Sequence, residues 1–466
     1  MNGSKKREVC AQLRRFRQRF VQSPGSVLAQ LFTARCLGQW VFEACGPWRE
    51  RVYGPLGTLM LFVEQVLSAD HSCQDAVALG VSARVGRGQA PCSLNSGPYC
   101  RARQRLPLKL IERLGREVAV RVCAKQPTAW LWRGRHVKLI DGATVSMPDT
   151  LDNQAHFPQN REQKPGLGFP LARMVAVVSL SCGAVLEWAS GACEGKASGE
   201  TALLWTLLHR LERGDIVVAD RCYAGYFMIA RLMSLGVDVV IRQHQRRHSD
   251  FRRGQRFGVR DHVAIWRRPK CPAWMDEATY ARMPEHLRMR EVRAGGWTIV
   301  SSLIDVRAVS KKDLLELYRS RWQVELDLRS IKAVMQMDIL RCKSAQMVVK
   351  EIATHLLAYN LVRTVMAHAA SHTTLLPRQL SFKGALQVLR AFEKNLRHCP
   401  RQRLVFQHAH VLGAIARLRL PHRPDRVEPR AVKRRPRPHS LLTSPRSIER
   451  QRLIARKQKI MTAALR

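Results

Sequence analysis

The sequence predicts an α/β fold, preceded by a helical region and followed by a basic tail. Three observations carry that prediction. Apolar residues recur at helical spacing up to about residue 128. Short apolar runs then alternate with helical segments, the pattern of a sheet layered with helices. The last 46 residues, from Pro421, hold 14 Lys and Arg against three acids, and 428–446 shows no apolar periodicity.

In chain order, "GPLGTLMLFVEQVLSADHSCQDAVAL" reads as two helices broken at Ser68–Ser72. "GPYCRARQRLPLKLIERLGREVAVRV" continues in helical period and crowds Arg101, Arg103 and Arg105 together. After Gln126–Pro127 the period changes to that of strands. "RHVKLIDGATVSM" runs apolar into Asp141, and "RMVAVVSLSCGAVLEWAS" reads as two strands around a Cys-Gly turn. A helix over about 198–212 leads to the buried strand "DIVVADRCY", which ends on Asp220. "AGYFMIARLMSLG" is a helix closed by Gly236, and "VDVVIRQ" is a further strand. The basic, β-rich segment from about 244 to 296 has the look of an insertion. "WTIVSSLI" returns to strand, 311–338 reads as one helix without Gly or Pro, and about 347–370 as another. The expected division is 1–128 as a helical DNA-binding domain, 129–395 as the catalytic domain with its insertion, and 396–466 as a basic C-terminal region, extended and mobile from about 421.

Composition narrows the function. The chain has 466 residues, with 79 Lys and Arg against 36 Asp and Glu, a formal charge of +43. Such an excess points to nucleic acid or an anionic membrane surface. No run of ~18 apolar residues and no signal-peptide core are visible, so no membrane association is expected and nucleic acid is the better reading. The 13 cysteines have neither C-x-x-C nor zinc spacing. They are expected to be reduced core thiols in a cytoplasmic protein.

Two strands finish on a carboxylate, Asp141 in "KLIDG" and Asp220 in "VVADR". The carboxyl edge of such a sheet is where α/β proteins build sites, and paired carboxylates without His or Cys suit hard cations such as Mg²⁺. In "LYRSRWQVELDLRSIKAVMQMD", at 100° per residue, Tyr318, Arg321, Glu325 and Lys332 fall within a sector of about 60°, and Arg329 adjoins them. Asp327 falls on the far side. One helix face thus carries a lone carboxylate among cations and a phenol, which fits a metal ligand beside phosphate-binding groups.

The spacing Y-x₂-R-x₃-E-x₆-K, present as Tyr318, Arg321, Glu325 and Lys332, resembles the signature of the insertion-sequence-4 family of DDE transposases. The "DG" at Asp141 and "ADRCY" at Asp220 resemble that family's first two acidic motifs; "SGPYCRARQRLP" and "PRAVKRRPRP" also resemble its members. The resemblance implies a ribonuclease-H-like catalytic domain, interrupted by the β-rich insertion, and cut-and-paste transposition. It implies that Asp141, Asp220 and Glu325 hold two Mg²⁺ ions, with Mn²⁺ as a substitute. Tyr318, Arg321 and Lys332, with Arg329 beside them, are implied to grip the DNA backbone. Trp297, which ends the insertion after Gly295–Gly296, is implied to stack on an extruded base. The implied partners are double-stranded DNA, as transposon ends and target, and a second copy of the chain in a synaptic homodimer; the implied location is the nucleoid. Two other readings remain open from the residues alone: a non-catalytic DNA-binding regulator, and a nuclease that hydrolyses without strand transfer.

Overall fold

The computed structural model describes residues 27–48, 52–195, 198–421 and 441–464. Among the described residues six helices come first: α1 (Val27–Leu31), α2 (Ala34–Cys45), α3 (Pro55–Leu67), α4 (Cys73–Val85), α5 (Gly97–Arg105) and α6 (Leu108–Ala124). The break between α3 and α4 is capped by Ser72, whose side chain accepts from the backbone N–H of Asp75. There follow β1 (Val137–Ser146), α7 (Leu151–His156), β2 (Leu171–Ser179), β3 (Val185–Ala192), α8 (Glu200–Leu207), β4 (Ile216–Ala219), α9 (Tyr226–Ser234) and β5 (Asp238–Arg242). Next come β6 (Gln255–Gly258), β7 (Asp261–Arg267), α10 (Glu277–Ala281), β8 (His286–Ala294) and β9 (Trp297–Ser301). The chain closes with α11 (Lys311–Arg319), α12 (Trp322–Arg329), α13 (Ala345–Ser371), α14 (Phe382–His398), α15 (Arg401–Arg417) and α16 (Arg446–Ala464).

All nine strands form one sheet in the order β3-β2-β1-β4-β5-β9-β8-β7-β6. β1, β4 and β5 are parallel; β2, β3 and β9 are antiparallel to their neighbours. The segment 244–296 therefore adds β6–β8 to the same sheet through β9 rather than building a sheet of its own. Gly295 (φ +58°) turns the β8–β9 hairpin, a conformation that disfavours any side chain with a Cβ.

Both faces of the sheet are covered, and alternate residues of each strand serve different faces. Leu139, Val218 and Val240 pack into a core shared with the N-terminal helices and α13, whereas Ile140, Val217, Ala219 and Ile241 pack against α8 and α9. α13 is buried nearly all round, including Lys350 and Arg363, and contacts α3, α6, α14 and α15. The N-terminal helices thus share one core with the catalytic sheet, and the boundary expected at 395 falls inside α14.

Two expectations are corrected. The stretch 311–338 is not one helix. It tightens at Tyr318–Arg321, where the Arg321 N–H bonds to the Tyr318 carbonyl, and widens to a π turn over Ser330–Val334. A serine marks each break: Ser320 and Ser330 bond back to the Leu317 and Leu326 carbonyls, which competes with the regular ladder. The tail is not extended throughout, since Arg446–Ala464 is helical; residues 422–440 lie outside the described residues, as do 1–26.

Candidate active site

β1 and β4 run parallel with Ile140 opposite Ala219. Asp220 follows the end of β4, as expected, but β1 does not finish on Asp141: it runs on to Ser146 because β2 continues to pair with it, so Asp141 lies within the strand. The two strand backbones lie about 4.8 Å apart. Buried apolar runs hold both strands in the sheet, so each carboxylate is fixed by the hydrophobic register of the residues before it. By alternation Asp141 shares a face with Leu139, the face against which α12 packs. Asp220 leaves the sheet and opens a 3₁₀ turn over Arg221–Tyr223.

Glu325, on α12, is brought to this edge. Arg321 Nη2 donates to Glu325 Oε1 at 2.6 Å, and Arg321 Nη1 lies 3.7 Å from Asp141 Oδ2. One guanidinium therefore spans two of the three expected catalytic carboxylates. Asp141, Glu200, Glu325, Arg329, Lys332 and Asp338 line an open cavity of about 670 Å³. Burial pushes the Asp141 carboxyl up to about 6, and the charges of Glu325 and Glu200 add to the rise; the Gly142 N–H and Arg321 partly offset it. One guanidinium does not neutralise this edge.

Tyr318 is buried and does not line the cavity. Its ring packs on Trp297 with centroids 5.2 Å apart, and burial, with Asp220 nearby, raises its phenol above the usual range. Trp297 is half-buried against the same core. Trp266, another tryptophan of the 244–296 segment, is buried and donates its indole N–H to Glu291.

Asp327, on the far side of α12 as the helical wheel requires, faces a core rather than solvent. It is 0% exposed and accepts from the Tyr359 hydroxyl, from Arg363 and from Arg378. Arg378 also donates to the carbonyls of Ser179 and Leu180, so the network ties the Glu325 helix to the β2–β3 turn. Glu200 is the site residue that sequence reasoning missed. A glutamate in the first turn of a helix is an ordinary feature, and its place at the site depends on how α8 packs across β2 and β3.

Among the described residues no three of His, Cys, Asp and Glu are already gathered around one point as a metal cage. The donor set is nonetheless one of carboxylate oxygens, which suits hard divalent cations. Burial above all, and then the charges of Glu325 and Glu200, disfavour the ionised Asp141 carboxyl, and a bound divalent ion would favour it.

Carboxylates on two adjacent strands and one helix, with cations on the rim, are groups of the kind that phosphoryl transfer uses, and residues 132–361 match the family of transposase DDE domains. The chain is a DDE transposase, an enzyme that acts on DNA. Over 344 residues it is 28% identical to Transposase InsG for insertion sequence element IS4 of Escherichia coli (strain K12), spanning 70% of this chain and 75% of that one. It belongs to the insertion-sequence-4 family of these enzymes. The cryo-EM structure of a piggyBac transposase synaptic complex with hairpin DNA is a distant likeness, with a TM-score of 0.40 and 9% identity over 80% of this chain and 81% of that one. Among the described residues no helix is long and apolar enough to cross a membrane.

Proposed function

We propose that Asp141, Asp220 and Glu325 are the catalytic carboxylates of cut-and-paste transposition, and that they hold Mg²⁺, with Mn²⁺ as a substitute. The observation that carries this reading is the Arg321 guanidinium bridging Glu325 and Asp141 beside the Asp220 strand end. Divalent ions bound there would supply positive charge at the scissile phosphate and a more acidic attacking water.

The chain's own residues supply position. β1 fixes Asp141, the end of β4 fixes Asp220, and α12 fixes Glu325. Arg321 holds two carboxylates together and keeps further N–H donors for a phosphate oxygen, to which a guanidinium fork is suited. Arg329 and Lys332, on the cavity rim, grip the transposon-end backbone. Tyr318 packs on Trp297 from the core side, and Trp297 takes an extruded base. The strand order β3-β2-β1-β4-β5, with β1, β4 and β5 parallel, supports a ribonuclease-H-like domain over 129–395, interrupted by 244–296. Residues 1–128 bind DNA ahead of it, the basic C-terminal region follows, and two copies pair two ends in the nucleoid.

The test is product analysis with a labelled transposon end, a target plasmid and Mg²⁺. The expected products are a nick at the end and that end joined to the target. Hydrolysis without joining would return the simple-nuclease reading, and binding without cleavage the regulator reading.

A further inference from the structure

The glutamate at the start of α8 is built into the catalytic edge from the opposite face of the sheet. Gly142 follows Asp141 and by alternation turns its side-chain position toward the α8 face. A Cβ placed there would stand 2.5 Å from Glu200 Cδ and Oε1, so the Glu200 carboxyl occupies the space where residue 142 would carry a side chain. Gly142 has no positive φ to explain it; the close approach does. The second acidic segment reaches the same carboxylate. The Tyr223 hydroxyl donates to Glu200 Oε2 at 3.2 Å and Cys222 Sγ donates at 3.6 Å. Tyr223 is buried and fixed by the turn that Asp220 opens. Gly142, next to Asp141, thus leaves room for Glu200; Cys222 and Tyr223, just past Asp220, hold it; and Glu200 lines the same cavity as Asp141 and Glu325.

We propose that Glu200 is a fourth carboxylate of the catalytic centre, reaching through the gap left by Gly142 to bind a divalent cation beside Asp141. This rests on the proposed roles of Asp141, Asp220 and Glu325. The competing explanation is that Glu200 only favours the N-terminus of α8, which would affect stability and not metal affinity.

The experiment titrates Mn²⁺ into the metal-free full-length chain and measures free Mn²⁺ by electron paramagnetic resonance. Thermal melting of each variant is measured in parallel. Glu200→Gln retains the side chain's size and an acceptor for Tyr223 but not the charge. It is expected to weaken Mn²⁺ binding about tenfold or more, with the melting temperature retained, and to raise the Mn²⁺ needed for half-maximal nicking by a similar factor. Gly142→Ala keeps Glu200 but fills its place, and is expected to weaken Mn²⁺ binding in the same direction. If both variants bind Mn²⁺ as the wild type does while Asp141→Asn abolishes binding, the Glu200 assignment falls and the three-carboxylate reading stands. If the wild-type chain shows no Mn²⁺ binding sensitive to Asp141, both fall.

Discussion

Arg321 donates to Glu325 at 2.6 Å, four residues along the chain, and the same guanidinium stands 3.7 Å from Asp141 on a different element. These contacts link the signature helix to the carboxylate on β1. Arg321→Ala is therefore expected to act twice. Strand cleavage should fall by about 10²-fold, the usual cost of losing one positioned donor at developing charge. Stability without metal should fall by about 1 kcal/mol or less, because the pair is partly exposed. Unchanged nicking kinetics on a labelled end would contradict the role.

Asp327→Ala is expected to be severe, although the helical wheel alone makes it an innocuous control for Glu325. Removing this carboxylate leaves Arg363 and Arg378 buried and unpaired, which costs about 3–5 kcal/mol. Chemical denaturation measures it, and a loss below about 1 kcal/mol would contradict the buried network.

Asp141 makes the metal-free protein sensitive to pH. Its carboxyl is raised from 3.8 to about 6, so the fold disfavours the charged form. That penalty is absent below pH 4, grows as pH rises toward 6, and is complete above it. Asp141→Asn is expected to raise metal-free stability at pH 7.5 by roughly 1–3 kcal/mol and to give little gain near pH 4. Denaturation in chelator at the two pH values checks it. A gain equal at both would point to packing instead of charge.

Deleting residues from Pro421 onward removes 14 Lys and Arg and only three acids. Binding should weaken on specific and non-specific DNA alike, and the salt dependence should flatten by ~0.9 in slope for each phosphate that the tail no longer neutralises. A melting temperature close to wild type is expected as well. An unchanged salt slope with lower stability would assign the tail a structural role.

The parts of the fold and site that are legible in the sequence are those fixed by local pattern. Apolar runs leading into Asp141 and Asp220 mark both strands and the end of β4, because register within a buried sheet follows from the run itself, whereas the continuation of β1 to Ser146 depends on its pairing with β2. The Arg321–Glu325 pair follows from their spacing on a helix. What is not legible depends on the packing of distant segments. A wheel places Asp327 opposite Glu325 but cannot say that Tyr359 and Arg363 of α13 wait there. The breaks after Tyr318 and at Ser330 carry no Gly or Pro; the two serines are the available sign, and they bond to the backbone only in the folded helix. Glu200 reaches the site through the packing of α8 on β2 and β3, and the local clue is a glycine at 142 with no turn to make.

The measurement closest to the central claim is Asp220→Ala assayed for both end binding and Mg²⁺-dependent nicking of a transposon end. Asp220 follows the strand paired with the one that bears Asp141, so the account requires it to act with Asp141 and Glu325. The predicted result is end binding within about threefold of wild type and no detectable nicking, with the triple variant Asp141→Ala, Asp220→Ala, Glu325→Ala little worse than the single one. Nicking by Asp220→Ala at near the wild-type rate would contradict the account.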